Sequence, residues 1–525
     1  MIFEKGKVGD KLSSYIMSVG LNGLKGQVIK VEATVRSDKE QCIIIGLPDA
    51  TIKESRERIL NSLHSLAMDI EMKKITINLS PSDVKKSGTG FDGAMLLAVV
   101  QELLKKKLPI TDDICIIAAL SLDGQLLSFQ SLIPTVQQAI QLGFKRIYLP
   151  PINTNLFAYV TDIELISFNH IRDIMSHLQG KTSLFTMPLS LPSSTELQPL
   201  EHVEEESMED FSAIRGHEDV KRAMEICAAG GHHLLMSGPP GCGKSLMAHA
   251  FHSILPDMTH EEMLEVYSIY QLTSQPRGLS LRPPKRAPHH TTSEGAIQGG
   301  GRYPKPGEIS LAHRGVLFLD ELGHFQRRVI DTLRQPLELG YATVNRVEGS
   351  LEFPAAINLI TATNPCPCGY AGSSERYCTC SDKQILKYLM KVTGPIIDRI
   401  DFVLQMKSTG IFTQSAGESS AAIRVRVTKA RNIQRTRYGM NVTNCIVPIK
   451  LFEQHMNISS QQLQTVQQVC FEERLSSRST TKILRLARTI ADLTGSEHVA
   501  DLHLTEAIEW KKKASAIHTA MTRGG

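Results

Sequence analysis

Apolar positions along the first 120 residues change period repeatedly. Val28-Ile-Lys-Val-Glu-Ala-Thr-Val35 alternates as a half-buried strand does, and Gln41-Cys-Ile-Ile-Ile45 is a second strand-like run. Asp49 stands where a helix N-cap belongs, ahead of a helical stretch through Ile59. Lys74–Leu79 reads as another strand, Ala94–Val100 opens a helix, and Ile114–Ala119 returns as a strand. This interleaving predicts an α/β domain over residues 1–180 that mixes hairpin and crossover connections. Residues 181–210 are rich in Ser, Pro, Leu and acids, follow no period, and read as a linker. Over 211–408 the signal changes to short continuous apolar runs, the mark of buried parallel strands: Leu234–Met236, Val316–Leu319 and Leu359–Thr363. Tyr341–Phe353 alternates like a hairpin turning near Glu348-Gly349. After a break at 409–420, helical periodicity over 423–437, 460–473, 479–493 and 504–519 predicts a C-terminal helical domain spanning 421–525.

Composition sets broad limits. A chain of 525 residues with 42% hydrophobic content and mean hydropathy −0.11 is an ordinary globular protein. It has no apolar run near the roughly 20 residues of a membrane span and no signal-like leader, so the cytoplasm and no membrane partner are expected. Net charge is only +4, but it is uneven: residues 421–525 hold sixteen Lys/Arg against eight Asp/Glu. That basic segment suits a phosphate backbone or an ordinary solvated helical surface equally well.

The chemistry concentrates in the middle. Gly238-Pro239-Pro240-Gly241-Cys242-Gly243-Lys244-Ser245 fits G-x-x-x-x-G-K-[ST], between an apolar strand and a helix start. Such a loop points backbone N–H groups at phosphate. Lys244 would reach the β and γ phosphates of ATP, and the Ser245 hydroxyl would ligate Mg²⁺. Asp320 and Glu321 end an apolar strand 76 residues after Lys244. Asp320 suits the Mg²⁺ shell and Glu321 suits activation of the attacking water; a helix-capping acid pair is the alternative. Asn364 ends a third strand and either holds water or the γ-phosphate, or simply begins an Asn-Pro turn. Cys366, Cys368, Cys378 and Cys380 form two C-x-C pairs on a short loop, able to close a tetrahedral Zn²⁺ site or to remain free or redox-active thiols. His289-His290 reads as structural or nucleotide-proximal rather than as a chelate.

In the order of phosphate loop, Asp-Glu strand and Asn-ended strand, the chain resembles the AAA+ ATPases. In its detailed wording it is similar to their Mg-chelatase-like branch, specifically the ComM/YifB competence family. The matching stretches include Lys285–Ser293, Pro306–Glu321, Asn364-Pro-Cys-Pro-Cys-Gly369, Gly394–Asp401 and Arg485–Leu493, with Asn78–Lys86 and Gly90–Asp92 near the front. The resemblance implies that Arg399 is an arginine finger supplied to the neighbouring subunit's ATP. It implies that Arg478 is a sensor arginine on a helical lid, and that the protein works as a ring, usually a hexamer. It implies a Lon-protease-like front domain. The positions aligned with the protease nucleophile and base hold Gly90 and, nearby, Ile133, so a non-proteolytic role is expected. For the whole protein it implies ATP-driven translocation on single-stranded or branched DNA, as in branch migration during recombination or natural transformation, with recombination proteins as further partners. Arg282, Lys285 and Arg286 of the insert at 255–313 and Arg346 of the hairpin are the expected DNA contacts, against a structural role for the hairpin at a subunit contact. A chelatase-type motor that remodels a protein partner is the rival, and an ATP-dependent protease is a third class.

Overall fold

A computed structural model of the chain describes residues 15–83, 86–105, 107–157, 160–181, 209–275, 277–301, 304–346, 349–372, 376–392, 396–407 and 417–523. The expected linker lies almost wholly outside these residues. Contacts divide the chain into two units: Met1–Leu200 with Tyr270–Arg277, and Glu201–Ile269 with Gly278–Gly525.

The first unit is built on a seven-stranded mixed sheet. In chain order its elements are β1 (Ile16–Asn22), β2 (Lys25–Ser37), β3 (Gln41–Ile45), α1 (Ala50–Ser65), β4 (Lys73–Ser80), α2 (Asp92–Leu103), β5 (Ile114–Ile116), α3 (Leu132–Gln141), β6 (Arg146–Leu149), β7 (Glu164–Ser167) and α4 (Ile171–Leu178). The strand order is β3-β4-β2-β1-β5-β6-β7. β2 pairs antiparallel with β1 and β4, whereas β3–β4, β1–β5, β5–β6 and β6–β7 are parallel. Hairpin and crossover connections therefore coexist. Alternation is the reason β4 lies as it does: Ile75, Ile77 and Leu79 are buried, with half-buried polar residues between them. Asp49 caps α1 by accepting from the Ile52 N–H. α2 is buried almost all round, which its unbroken Ala94–Val100 run requires.

The second unit carries a five-stranded, all-parallel sheet. Its main elements are α5 (Glu218–Gly230), β8 (Leu234–Ser237), α6 (Lys244–Phe251), β9 (Lys285–Arg286), β10 (Val316–Leu319), α7 (Arg334–Leu339), β11 (Tyr341–Arg346), β12 (Gly349–Pro354), β13 (Asn358–Thr363), α8 (Asp382–Val392), β14 (Phe402–Gln405), α9 (Ser420–Tyr438), α10 (Ser460–Glu472), α11 (Ser477–Thr494) and α12 (Asp501–Arg523). The sheet runs β9-β10-β13-β8-β14. Every residue of β8, β10 and β13 is buried, as central strands covered on both faces demand. β11 and β12 form a separate antiparallel hairpin with Arg346 opposite Gly349. The helices over 420–523 start and stop on local chemistry. Ser419 caps α9, Ser459 and Gln462 close a capping box on α10, and left-handed Gly439 and Gly495 end α9 and α11. One apolar cluster runs from α5 and α6 through β8 and β14 into α9, α11 and α12. The helical segment thus shares a core with the parallel sheet.

Candidate functional site: a nucleotide site beside a cysteine cluster

The phosphate loop leaves the carboxyl end of β8 and re-enters the fold as α6. Gly243 is its turning residue, with φ +90° directly before the helix, a conformation that a Cβ would strain. Lys244 is 8% exposed, and its ammonium donates to the carbonyls of Gly238 (2.7 Å) and Pro239 (2.8 Å). No carboxylate pairs with it among the described residues. With only the two carbonyls and Cys242 Sγ (3.7 Å) as partners, this buried ammonium suits an anion bound in the loop.

Ser245 Oγ donates to Asp320 Oδ2 at 2.8 Å. Residues 75 positions apart thus bring a hydroxyl and a carboxylate together beside the loop, an oxygen set suited to a hard divalent cation. The other oxygen, Asp320 Oδ1, accepts from the Glu321 N–H at 2.8 Å and fixes the turn after β10. Glu321 itself has φ +50°, a left-handed conformation that costs a non-glycine residue about 1 kcal/mol or more. Its carboxylate is half-exposed and lies 3.5 Å from His290 Nδ1.

Sheet order places Asn364. β13 lies between β8 and β10, with Thr361 opposite both Leu235 and Leu319. Asn364 therefore emerges between the phosphate loop and the acid pair. Tyr388 of α8 anchors this end of the sheet. Its hydroxyl lies 3.3 Å from Thr363 Oγ1 and accepts from the Asn364 N–H, and its ring fills the space over Gly323. Burial pushes the Tyr388 hydroxyl up from its usual range. His324 stands edge-on to Tyr388 (5.5 Å) and 5.7 Å from the His290 ring. A ring series thus runs from the Glu321 carboxylate to the end of β13. Of these rings the sequence flagged only His290; Tyr388 and His324 carry no sequence signal beyond apolar periodicity.

The two candidate arginines meet on one carboxylate. Arg399 Nη2 lies 3.0 Å from Glu338 Oε1, and Arg478 Nη1 lies 3.4 Å from the same oxygen. Glu338 ends α7, Arg399 closes the short turn before β14, and Arg478 sits in the first turn of α11.

Beyond Asn364 the chain enters the cysteine loop. Cys366 Sγ lies 3.3 Å from Cys368 Sγ and 3.7 Å from Cys378 Sγ, and Cys368 lies 3.5 Å from Cys378. With Cys380 the four sulfurs fall within 4.8 Å of one another. All are free thiols. Backbone N–H groups of Tyr370 and Thr379 pull the Cys368 thiol down to about 5, whereas desolvation and the adjoining thiols push Cys378 up to about 12 and Cys380 up as well.

Comparison with known proteins agrees with this arrangement. Family descriptions match three stretches: "Magnesium chelatase, subunit ChlI" over residues 210–412, "Subunit ChlI of Mg-chelatase" over 31–153, and "Magnesium chelatase, subunit ChlI C-terminal" over 417–511. Uncharacterized protein YifB of Escherichia coli is 34% identical over 500 residues, covering 93% of this chain and 95% of its own. Competence protein ComM of Haemophilus influenzae is 33% identical over 502 residues, with the same coverage. The Magnesium-chelatase 38 kDa subunit of Rhodobacter capsulatus is 29% identical over 174 residues, 30% of this chain and half of its own.

The chain belongs to the ComM/YifB family of Mg-chelatase-like AAA+ proteins. Membership makes ATP and Mg²⁺ the ligands expected at the loop of this ComM/YifB protein, and the Ser245–Asp320 pair fits that metal. The basic residues expected to touch DNA are mostly occupied here. Arg286 makes a bidentate pair with Glu308 (2.6 and 2.7 Å), which commits its charge to joining β9 to the helix start at Glu308 instead of leaving it for phosphate. Lys285 Nζ lies 3.3 Å from His249 Nδ1, and Arg282 Nε lies 3.8 Å from Asp257. The Arg346 side chain lies outside the described residues. In the front unit, the Phe129 ring covers Gly90 so closely that a Cβ there would lie 2.7 Å from it. Ile133 begins α3.

Proposed function

We propose that this protein is a ring-forming AAA+ ATPase that couples ATP hydrolysis to movement along DNA, acting as a branch-migration motor in recombination or DNA uptake. The observation that carries the ATPase part is the convergence of Lys244, Ser245, Asp320, Glu321 and the Asn364 strand end at the carboxyl edge of one parallel sheet. Lys244 and the loop N–H groups bind and orient the triphosphate. Ser245 and Asp320 would hold Mg²⁺, which when bound would supply charge neutralisation at the phosphate oxygens. Glu321 takes a proton from the attacking water, and Asn364 orients that water or the γ-phosphate by hydrogen bonds. Arg399 serves as the arginine finger for the phosphates of an adjacent protomer, hence a ring, most simply a hexamer, and Arg478, which shares Glu338 with it, serves as the sensor arginine of the helical lid. Zn²⁺ on the four cysteines belongs to this reading.

The DNA part is supported by whole-length likeness to a relative whose name is a competence protein, and by the basic helices of residues 421–525. The grip is assigned to the hairpin and insert, with Lys285, Arg282 and Arg346 as candidates. The front unit serves binding or assembly, since a ring over Gly90 leaves no room for a nucleophilic side chain there. Among the described residues no helix is long and apolar enough to cross a membrane. The cytoplasm is the proposed location.

A second reading has its own support: chelatase subunits match parts of the chain, which favours a motor acting on a protein partner. That likeness covers 30% of the chain for one chelatase subunit and 57% for a chelatase homologue. Strand displacement from a synthetic four-way junction with Mg-ATP separates the two. ATP-dependent displacement that is lost in Lys244→Ala supports the DNA motor. ATP turnover with no displacement and no junction binding overturns it in favour of a protein-directed motor.

A further inference from the structure

The cysteine cluster is not isolated from the nucleotide site. Cys366 follows Asn364 by two residues and is fully buried, and its sulfur accepts from the Ala371 N–H at 3.3 Å. The loop then turns at Gly369, whose φ is +89°. The outer side of that glycine faces the phosphate loop: a Cβ built on it would lie 2.6 Å from Pro240 Cδ and 3.8 Å from Asn364 Cγ. The cysteine loop, the end of the sensor strand and the phosphate loop therefore meet at one point, which only a residue without a side chain can occupy.

The sulfur geometry fits a metal. Four ligands in a tetrahedron at about 2.3 Å from Zn²⁺ stand about 3.8 Å apart. The three measured separations, 3.3, 3.5 and 3.7 Å, are near that value and far from the roughly 2.05 Å of a disulfide. Three thiols at this spacing, with the fourth within 4.8 Å, converge as the ligands of one cation would.

Resting on the zinc reading above, we propose that Zn²⁺ bound by Cys366, Cys368, Cys378 and Cys380 is a latch that holds the Gly369 turn against Pro240, and so sets the distance between Asn364 and the phosphate loop. Zinc is the metal class because four thiolates in a closed site select it over oxygen-seeking cations. No cysteine is left over to leave a coordination position open, so the ion is structural and takes no part in the chemistry.

The test measures metal and turnover separately. Elemental analysis of the full-length protein should find one zinc per chain. Co²⁺ exchanged into the site should give thiolate charge-transfer absorption. Cys378→Ser should lose the metal. Gly369→Ala should keep one zinc and near-normal binding of a fluorescent ATP analogue, while its maximal ATP turnover falls at least tenfold, the lower range for residues supporting a metal-ordered site. A chain without bound zinc that gives no cobalt spectrum overturns the metal site and the latch together. Bound zinc with unchanged turnover in Gly369→Ala overturns the latch and leaves the metal site standing. Because Gly369→Ala keeps all four ligands, the latch stays testable even where Cys378→Ser fails to fold.

Discussion

Glu321 is the residue on which chemistry and strain coincide. It follows a fully buried strand, adopts a left-handed backbone, and points a half-exposed carboxylate toward His290. A glycine or asparagine would hold that turn more cheaply, so an acid there argues for a task beyond the fold. Glu321→Gln keeps the shape and removes the base. It should bind ATP normally and hydrolyse it at least about 100-fold more slowly, the usual worth of a positioned proton acceptor; turnover close to wild type would remove Glu321 from that role. A second residue-scale effect sits behind the site. Burial pushes the fully enclosed His233 down from 6.5 to about 4, while Lys482 holds the neighbouring Asp401 well below the usual carboxylate range. Folded His233 binds its proton more weakly than the unfolded side chain does. Its contribution is therefore complete above pH 6.5 and is lost as pH falls from 6.5 toward 4, by roughly 3 kcal/mol in all. Asp401 adds a loss in the same direction below its unfolded value. Melting temperature measured against pH should drop through that window, and His233→Asn should flatten the upper part of the slope.

At the scale of elements, the turn before β14 and the first turn of α11 deliver two arginines to the end of α7. Glu338 is the common anchor, and nothing in its local sequence distinguishes it from any other exposed acid near a helix end. Half-exposed ion pairs are worth at most about 1 kcal/mol each. Glu338→Gln should thus lower maximal ATP turnover by up to about fivefold and leave the affinity for ATP unchanged; Glu338→Asp should recover part of the loss. Arg399→Ala should abolish turnover by itself. Mixed with Lys244→Ala, it should recover activity, because some interfaces then pair an intact phosphate loop with an intact arginine. Failure of every mixture to recover would place Arg399 outside the neighbour's site. The same scale shows what was legible beforehand. The strands at 234–237, 316–319 and 358–363 announce themselves as unbroken apolar runs, and the helices at 420–438, 460–472, 477–494 and 501–523 by period and caps, with ends shifted by only a few residues; the short helix Ile449–His455 was not expected. The phosphate loop, the acid pair and the cysteine spacing were legible because each is a local pattern. The first strand, Ile16–Asn22, was not, since Ser18 and Gly20 break its apolar character. Nor were the Arg286–Glu308 pair, the Tyr388 anchor or the shared Glu338. Each depends on which segments the sheet order brings side by side, and that order is a property of long-range pairing.

For the whole molecule, the parallel sheet and the helical segment form one continuous core, so motion at the nucleotide has a rigid body through which to act. The phosphate loop and the two arginines occupy different elements of that body. On the proposed ring reading a second copy completes the site, and work on a polymer calls for the copies to take turns. The most direct measurement is steady-state ATP turnover by the purified full-length chain with Mg²⁺, with and without a branched DNA junction. Turnover should rise several-fold on adding the junction and vanish in Lys244→Ala. Turnover indifferent to DNA at every concentration, with or without a branch, would contradict it.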